Sequence, residues 1–377
     1  MTLSPLSRSA LAPTLPGHYY TDPDVFALEQ ERIFGRQWVY VGRAADLARP
    51  GQFLRADVGT ENVIVVAGAD GRLRGFLNVC RHRGATLCVE DGGNVGKALR
   101  CPYHAWTYRL DGSLVTTPNW RAIEHIDRAE YSLHPVAVDV WEGLVWVNLS
   151  PDPAPLTDQV RPQIEYRLGD YEQFARYDLG ELAVGGRKEY VCAANWKLIF
   201  ENFQECYHCG TIHPELCDTI PRFADPATFT QGYDAGGYEF ADDHPGFTLS
   251  GSVSIPRLPR LTDDDDRRYF GMVVRPNAFL SLTPDHVIVH RFVPTAPDRT
   301  TVVCEWLFHP DVLAAGIDVT DSVELFHRVN EQDLGACEIT QPNMTSRAYR
   351  DGGVLVPAEE VLITRFREWV LASLEQA

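Results

Sequence analysis

The chain has 377 residues, of which 45% are apolar and 23% charged, a composition typical of a globular protein and not of a disordered or fibrous one. Its formal net charge of −18 repels phosphate backbones and anionic lipids, so neither nucleic acid nor a membrane is expected as a partner. No apolar run is long enough to span a membrane, and the N-terminus lacks the apolar core of a signal peptide, so a cytoplasmic protein is expected.

The first 150 residues are predicted to form an arm and a small β-rich domain. Residues 1–36 are predicted as the arm, with one short helix over 22–34. Over residues 37–150, short apolar runs alternate with turn pairs such as Asp70-Gly71, which predicts an all-β domain. Its expected strands lie at 38–41, 61–67, 73–78 and 143–148. Three alternating prolines over 151–155 favour extended chain, so a domain boundary is expected there.

Residues 151–377 are predicted to form a second, mixed domain. Apolar residues recur at helical spacing over 195–206, 320–337 and 358–375, whereas the segments 268–275, 286–293 and 300–308 are typical of strands in an antiparallel sheet. Helices and strands are segregated along the chain and do not alternate as βαβ units. The expected fold is therefore α+β, a small all-β domain followed by an antiparallel sheet with helices.

Two short cysteine–histidine pairs carry the strongest chemical signal. One residue separates Cys80 from His82, two separate Cys101 from His104, and 18 lie between the pairs. Such pairs bind either one zinc ion or an iron–sulfur cluster, and zinc pairs usually have two to four intervening residues. In a Rieske [2Fe–2S] centre each loop gives one cysteine and one histidine, which is the order in this chain.

A second pair of histidines follows in the C-terminal domain. His208 and His213 are five residues apart, a spacing that does not share one face of a regular helix. Gly210 and Pro214 predict that a helix ends or distorts there, which would bring the two imidazoles together. With one distant carboxylate, they would form the facial triad of non-haem Fe(II) enzymes that activate O2.

At these motifs the chain resembles the Rieske non-haem iron oxygenases, from about residue 20 to residue 370. Pro102, Tyr103 and Trp106 flank the second cysteine–histidine pair as they do in that family. The resemblance implies a helix-grip type of catalytic domain, a Rieske [2Fe–2S] cluster and a mononuclear Fe(II). The implied ligands of the cluster are Cys80, His82, Cys101 and His104.

The resemblance also implies roles around the mononuclear iron. The third ligand in the family is an aspartate on a helix near the C-terminus, which we assign to Asp333, with Glu331 and Asp318 as lesser candidates. His208 and His213 are the other two ligands. Glu205 and Asn202, which precede the first of these histidines, are assigned catalytic roles.

In the family the two metal centres that exchange electrons belong to neighbouring subunits of a head-to-tail trimer. Glu205 is implied to accept hydrogen bonds from His104 of one protomer and from His208 of the next. The cluster would take electrons from a separate NAD(P)H-dependent reductase and pass them on singly. A homotrimeric terminal oxygenase is therefore expected.

Cys206 and Cys209 also match the Cys-x-x-Cys pattern of zinc and redox sites. A thioredoxin-like motif needs a βαβ context, which the sequence pattern lacks, and a zinc site there would leave the cluster without an electron acceptor. The nine cysteines are an odd number in a long chain, which argues against a disulfide framework. Two buried structural thiols are therefore expected.

The identity of Glu205 bears on the substrate. Most ring-hydroxylating members have aspartate at this position, whereas glutamate resembles the branch that oxidises choline, glycine betaine, carnitine and proline betaine. A small quaternary ammonium substrate is therefore expected, with aromatic faces around the cation. The wall candidates are Tyr207, Phe279, Phe292 and Trp306, although core packing is expected more often for each one taken singly. An aromatic-ring hydroxylase and a Rieske electron-transfer protein are the alternatives.

Overall fold

The computed structural model describes residues 11–118, 127–225, 236–356 and 359–375. Contacts divide the chain into two units. The first, here called the N-terminal unit, comprises residues 29–159, and the second, the C-terminal unit, comprises residues 1–28 and 160–377. Within the described ranges, no helix is both long enough and apolar enough to cross a membrane.

Strands and helices are numbered in chain order. The strands are β1 Ala12–Pro13, β2 Val39–Arg43, β3 Gln52–Val58, β4 Glu61–Ala67, β5 Leu73–Leu77, β6 Gly92–Asn94, β7 Ala98–Arg100, β8 Thr107–Arg109, β9 Leu114–Thr116, β10 Pro135–Trp141, β11 Leu144–Asn148, β12 Ala183–Cys192, β13 Tyr238–Glu239, β14 Arg268–Val274, β15 Ala278–Leu282, β16 His286–Ala296, β17 Arg299–Phe308 and β18 Val354–Leu355. The helices are α1 Pro23–Glu29, α2 Leu156–Leu168, α3 Tyr171–Ala175, α4 Trp196–Asn202, α5 Cys209–Ile212, α6 Pro214–Thr219, α7 Pro310–Ala314, α8 Thr320–Thr340 and α9 Val361–Glu375.

The N-terminal unit is built on two antiparallel sheets. Seven strands pair in the order β2-β11-β10-β5-β4-β3-β6, and β7, β8 and β9 form a separate three-stranded sheet. Strand β11 is buried at all of its residues, which explains its continuous apolar run. Asp70 and Gly71 lie in the turn between β4 and β5, where Gly71 has a φ of 77° that favours glycine. The predicted all-β character of this region is confirmed.

Several element boundaries differ from the predictions. The helix predicted over 22–34 is divided, because α1 ends at Glu29 and Gln30–Phe34 form a π-helical turn that buries Ile33 and Phe34. Strands β3, β10 and β12 were not predicted. Charged residues are mixed into all three, and β12 is exposed or half-buried at every position except its last, so its apolar signal is weak.

The C-terminal unit has one six-stranded antiparallel sheet in the order β12-β17-β16-β15-β14-β13. Strands β16 and β17 have 11 and 10 residues and pair along most of their length. Helix α4 packs against β16, α8 and α9. Trp196 and Phe200 of α4 meet Phe366 of α9 at ring-centroid distances of 5.6 and 5.0 Å. The predicted α+β fold is confirmed, and these contacts fix the helix that leads into the second histidine motif.

Candidate functional site

The first cysteine–histidine motif lies on two loops of the N-terminal unit. Cys80 and Cys101 are each 2% exposed, and each begins a loop that two backbone hydrogen bonds of 2.8–3.1 Å close. His82 lies further along the first loop and is exposed, and His104 lies further along the second and is half-buried. Each loop therefore holds its cysteine inward and its histidine nearer to solvent.

The two histidines of these loops face each other. Their Nδ1 atoms lie 3.2 Å apart, and the indole of Trp106 stacks on the His82 ring at a centroid distance of 5.0 Å. On the buried side, the Tyr108 hydroxyl lies 3.4 Å from Cys80 Sγ. Both imidazoles thus turn the same nitrogen, Nδ1, toward a common centre.

The two kinds of donor in this motif lie apart from each other. Both cysteines are buried, whereas the two histidines face each other nearer to solvent. A [2Fe–2S] centre divides its thiolates and imidazoles between two irons, so it fits this arrangement.

The second motif lies where one helix ends and two short helices follow. Helix α4 ends at Asn202, His208 directly precedes α5, and His213 lies between α5 and α6. Pro214 begins α6, and the break expected at this proline is observed. A single helical turn therefore separates the two imidazoles, whose ring centroids are 5.2 Å apart.

Helix α8 brings a carboxylate to the same point. Asp333 Oδ1 lies 2.8 Å from His213 Nε2 and 3.3 Å from His208 Nε2. The side chains of His213 and Asp333 are only 1% and 8% exposed. Two imidazole nitrogens and one carboxylate oxygen thus converge from three segments, a donor set that suits non-haem Fe(II).

The two lesser carboxylate candidates lie elsewhere. Glu331 is 62% exposed, and its Oε1 lies 3.8 Å from His327 Nε2. Asp318 accepts a hydrogen bond from the backbone N–H of Thr320 at 2.9 Å, at the start of α8. Neither is among the residues lining the cavity beside the two histidines.

Gln332 fixes the orientation of His213. Its Oε1 accepts a hydrogen bond from His213 Nδ1 at 2.7 Å, and its Nε2 donates to Glu215 Oε1 at 3.0 Å. With the proton on Nδ1, Nε2 keeps a free lone pair toward Asp333. Gln332 was not predicted, since its one signal in the sequence is its position beside Asp333 on the helix.

Glu205 fixes the orientation of His208 in the same way. Its Oε1 contacts His208 Nδ1, and its Oε2 accepts from the backbone N–H of His208 at 3.4 Å. The glutamate side chain is 11% exposed. Glu205 and His208, both predicted from the sequence, are thus in contact. The other ring nitrogen of His208, Nε2, faces Asp333.

The electrostatics around His208 and Asp333 favour a bound cation. Burial opposes a charge on His208, but the carboxylates of Asp333 and Glu205 outweigh burial and raise the pKa of His208 to about 10. Burial acts against ionisation of Asp333, but hydrogen bonds from His208 and His213 outweigh burial and lower the pKa of Asp333 below its usual range. A site that stabilises a proton between imidazole and carboxylate also suits a metal cation in its place.

Cys206 and Cys209 form a disulfide, with Cα atoms 4.8 Å apart. The expectation of two separate thiols is therefore wrong; the loop that enters α5 brings the two sulfurs within bonding reach. Cys209 Sγ also lies within 4.8 Å of the ligand atoms of His208 and His213. Because this sulfur is bonded to Cys206, the carboxylate of Asp333 is the better third donor.

A cavity of about 580 Å³, including solvent at its mouth, adjoins the two histidines and Asp333. Asn202 and Glu205 line it, together with six aromatic residues. These are Phe203, Phe223, Tyr238, Tyr269, Phe279 and Phe326. Gly271 keeps room in the wall, because a Cβ there would lie 2.8 Å from the Tyr269 hydroxyl. We call this space the aromatic cavity.

Of the four predicted wall residues, Phe279 is the one among the described lining residues of the aromatic cavity. Tyr207 is 52% exposed, whereas Phe292 and Trp306 are buried to 1% and 0%. Trp306 belongs to a hydrophobic core cluster, and Phe292 packs on Phe203 at 5.3 Å between ring centroids. The other cavity aromatics were not predicted, because sequence spacing does not reveal which strand and loop residues meet.

Two family models match this chain. Residues 179–376 match the ring hydroxylating alpha subunit (catalytic domain), and residues 37–127 match the Rieske [2Fe-2S] domain. Together the two matches contain every residue assigned to the two metal centres.

Characterised relatives and solved structures agree with these matches. The chain is 31% identical to the glycine betaine monooxygenase oxygenase subunit of Pseudomonas aeruginosa, over 90% of this chain and 84% of that protein. It is 30% identical to the carnitine monooxygenase oxygenase subunit of Acinetobacter pittii, over 90% of this chain and 87% of that protein. A structure of the quaternary ammonium Rieske monooxygenase CntA with L-carnitine has a TM-score of 0.74 at 26% identity, covering 99% of this chain and all of that one.

Proposed function

We propose that this chain, which belongs to the Rieske non-haem iron oxygenases, mono-oxygenates a C–H bond of a small quaternary ammonium compound. It is an oxidoreductase with a Rieske [2Fe–2S] cluster and a mononuclear iron. The observation that carries the choice of substrate is the aromatic cavity beside the convergence of His208, His213 and Asp333. The glycine betaine and carnitine monooxygenases among its relatives support that choice.

The ligand assignment follows the donor atoms. Cys80 and Cys101 would hold the inner iron of the cluster, and His82 and His104 the outer one through Nδ1. The mononuclear iron would take the three converging donors described above. When bound, the cluster supplies single electrons and the mononuclear Fe(II) supplies reductive activation of O2.

The protein's own side chains prepare this chemistry. Glu205 and Gln332 hold the histidine protons on Nδ1, so that both Nε2 atoms remain ligands. The aromatic faces hold the ammonium group and limit the access of water to the reacting carbon. Asn202, at the end of α4, lines the same cavity.

The proposed reaction balances as a mono-oxygenation. One oxygen atom of O2 enters a C–H bond next to nitrogen, and the other leaves as water with two electrons and two protons from the NAD(P)H side. The carbinolamine that results loses its hydroxyl proton to water and collapses, so that its C–N bonding pair goes to nitrogen and a neutral amine and an aldehyde are released. The outcome is N-demethylation or cleavage of a larger C–N substituent.

We also propose a homotrimer in the cytoplasm, served by a separate NAD(P)H-dependent reductase. In a head-to-tail ring, Glu205 would accept hydrogen bonds from His208 of its own subunit and from His104 of the neighbouring one. The contact of Glu205 with His208 supports half of this bridge. The partial exposure of His104 leaves its imidazole accessible for the other half.

A substrate panel tests the proposal. With a surrogate reductase and Fe(II)-reconstituted protein, choline and betaine-like compounds should cause O2 uptake matched by amine and aldehyde release. Coupled uptake with an aromatic acid and none with any ammonium compound would favour an aromatic-ring hydroxylase. If the cluster accepts electrons but no compound elicits O2 uptake, the chain is an electron-transfer protein.

A further inference from the structure

The Cys206–Cys209 disulfide lies beside the mononuclear centre. Both cysteines line the aromatic cavity, together with His208 and His213. Cys206 and Cys209 are 6% and 2% exposed, and Cys209 begins α5 directly after His208. The bond therefore closes a short loop that contains one of the two histidine donors.

The sulfur of Cys209 is close to both histidines. Its Sγ and one ring nitrogen from each of His208 and His213 all lie within 4.8 Å of one another. Donors around a tetrahedral zinc ion lie about 3.5 Å apart. In the disulfide this sulfur is bonded to Cys206 and is not available as a thiolate ligand. Once released, it can turn about the Cα–Cβ bond of Cys209 and close the remaining distance.

The aromatic cavity gives small molecules a route to this disulfide. The cavity volume of about 580 Å³ includes solvent at its mouth, and both cysteines are in its wall. Exchange with a dithiol breaks the bond: the dithiol gives two electrons and two protons, both cysteines become thiols, and the dithiol becomes a cyclic disulfide. Exchange with a small disulfide restores the bond. Disulfides of cytoplasmic proteins are rare, and those that occur are usually catalytic or redox-sensing.

The two states of the cysteine pair present different donor sets to a metal. With the disulfide intact, the carboxylate of Asp333 joins His208 and His213, and a set with an oxygen donor suits Fe(II). After reduction, the thiolate of Cys209 becomes available to the same two histidines. A soft thiolate beside imidazoles favours zinc.

We propose that reduction of the Cys206–Cys209 disulfide creates a zinc site formed by Cys209, His208 and His213. The Cys209 thiol releases its proton to water when zinc binds, and the zinc takes the two histidines that the mononuclear iron needs. Because zinc has no redox chemistry, this state cannot activate O2. The redox state of the cysteine pair thus decides which metal the two histidines hold. Zinc binding needs neither iron nor a substrate, so the inference goes beyond the proposed function and is tested independently of it.

Zinc affinity in the two redox states tests the proposal. The full chain keeps its cluster, and a chelator removes the mononuclear iron. The oxidised form is prepared with glutathione disulfide and the reduced form with a dithiol, and both reagents are then removed under argon. Competition with a fluorescent zinc chelator should show at least about tenfold tighter binding in the reduced form, since a thiolate donor has been added. Equal zinc affinities at unchanged cluster absorbance overturn the proposal.

Two serine variants separate the thiolate from the mere loss of the disulfide. Neither Cys206→Ser nor Cys209→Ser can form the bond, but Cys206→Ser keeps the sulfur of Cys209. Cys206→Ser should bind zinc tightly after either treatment, whereas Cys209→Ser should bind it as weakly as the oxidised wild type. Tight binding by Cys209→Ser, or weak binding by Cys206→Ser, overturns the assignment of Cys209 as the donor. Should either variant fail to fold, the comparison of the two wild-type forms still decides the matter.

Alkylation of the denatured protein checks the disulfide itself. By mass spectrometry, the peptide that contains Cys206 and Cys209 should carry no label in the oxidised form and two labels in the reduced form. Two labels in both forms would show that the disulfide does not form, which overturns the proposal.

Discussion

At the scale of single residues, each histidine of the mononuclear centre has a hydrogen-bond acceptor at Nδ1, the ring nitrogen that faces away from the centre. Gln332 takes Nδ1 of His213 and Glu205 takes Nδ1 of His208. Such contacts set the tautomer, the ring orientation and the basicity of a metal-binding imidazole. The two acceptors differ in charge. Gln332 is a neutral amide that donates a hydrogen bond to Glu215, whereas Glu205 is a carboxylate.

Replacing Gln332 should loosen the metal. Gln332→Leu removes the acceptor, so Fe(II) should leave about ten- to a hundredfold faster than from the wild type. Release into a chromogenic chelator under argon measures this rate, and the cluster absorbance should not change. Glu331→Leu, at an exposed neighbouring position, is the control. Equal rates of release from Gln332→Leu and the wild type would refute the role of the acceptor.

Glu205 should be needed for electron transfer and not for metal binding. Glu205→Gln keeps a carbonyl acceptor for His208 but removes the charge, so the variant should retain all three irons and a reducible cluster. Turnover with the reductase should fall by at least about tenfold. Iron analysis, dithionite reduction of the cluster and O2 uptake measure the three properties. Loss of either metal centre would instead make Glu205 a ligand or a folding residue.

At the scale of elements, the site depends on a break between helices. Helices α4, α5 and α6 follow one another within 24 residues, and the turn between His208 and His213 directs both imidazoles toward α8. Pro214 made this break predictable from the sequence. The contribution of Gln332 was not predictable, because it requires the register of α8 against α6, and sequence spacing does not reveal contacts between distant segments.

In the rest of the fold, too, features set by local sequence pattern could be predicted, whereas contacts between distant segments could not. The cysteine–histidine pairs and the strongly apolar strands β4, β16 and β17 follow from local pattern. Strand β12 could not be predicted from its local pattern, because nine of its ten residues are exposed or half-buried. The cavity walls and the disulfide of Cys206 and Cys209 depend on which side chains meet in three dimensions. Local periodicity contains no information on such contacts.

A buried glutamate on helix α4 also makes the stability of the C-terminal unit depend on pH. Burial raises the pKa of Glu201 to about 7, although a hydrogen bond from Tyr20 and the nearby charge of Lys197 act in the other direction. A raised carboxyl pKa stabilises the fold below the unfolded value of about 4.5, and this contribution is lost as the pH rises through 7.

Glu201→Gln should remove that pH dependence. Relative to wild type, the variant should gain up to about 3 kcal/mol in the free energy of unfolding between pH 5 and pH 8. Thermal unfolding midpoints of both proteins across this range measure the difference. Glu324→Gln, at a surface glutamate paired with Arg328, should follow the wild-type curve. Parallel curves for wild type and Glu201→Gln would show that Glu201 does not titrate in this window.

At the scale of the whole molecule, the two units each contribute one metal centre. The protein should therefore contain three irons and two acid-labile sulfides per chain after anaerobic purification. His208→Ala should contain two irons, keep the Rieske absorbance and lose turnover. Metal analysis that finds stoichiometric zinc and no sulfide would exclude the Rieske cluster.

In an oxygenase, electrons stored in the cluster should be used only when a substrate occupies the second centre. The most direct test is a single turnover. The holoprotein is reduced under argon, freed of reductant and mixed with O2, with and without the ammonium compound that causes coupled O2 uptake in the substrate panel. Oxidation of the cluster should be at least about tenfold faster with this compound and should yield a matching amount of dealkylated amine. Oxidation at one rate in both mixtures, without amine, would contradict the account.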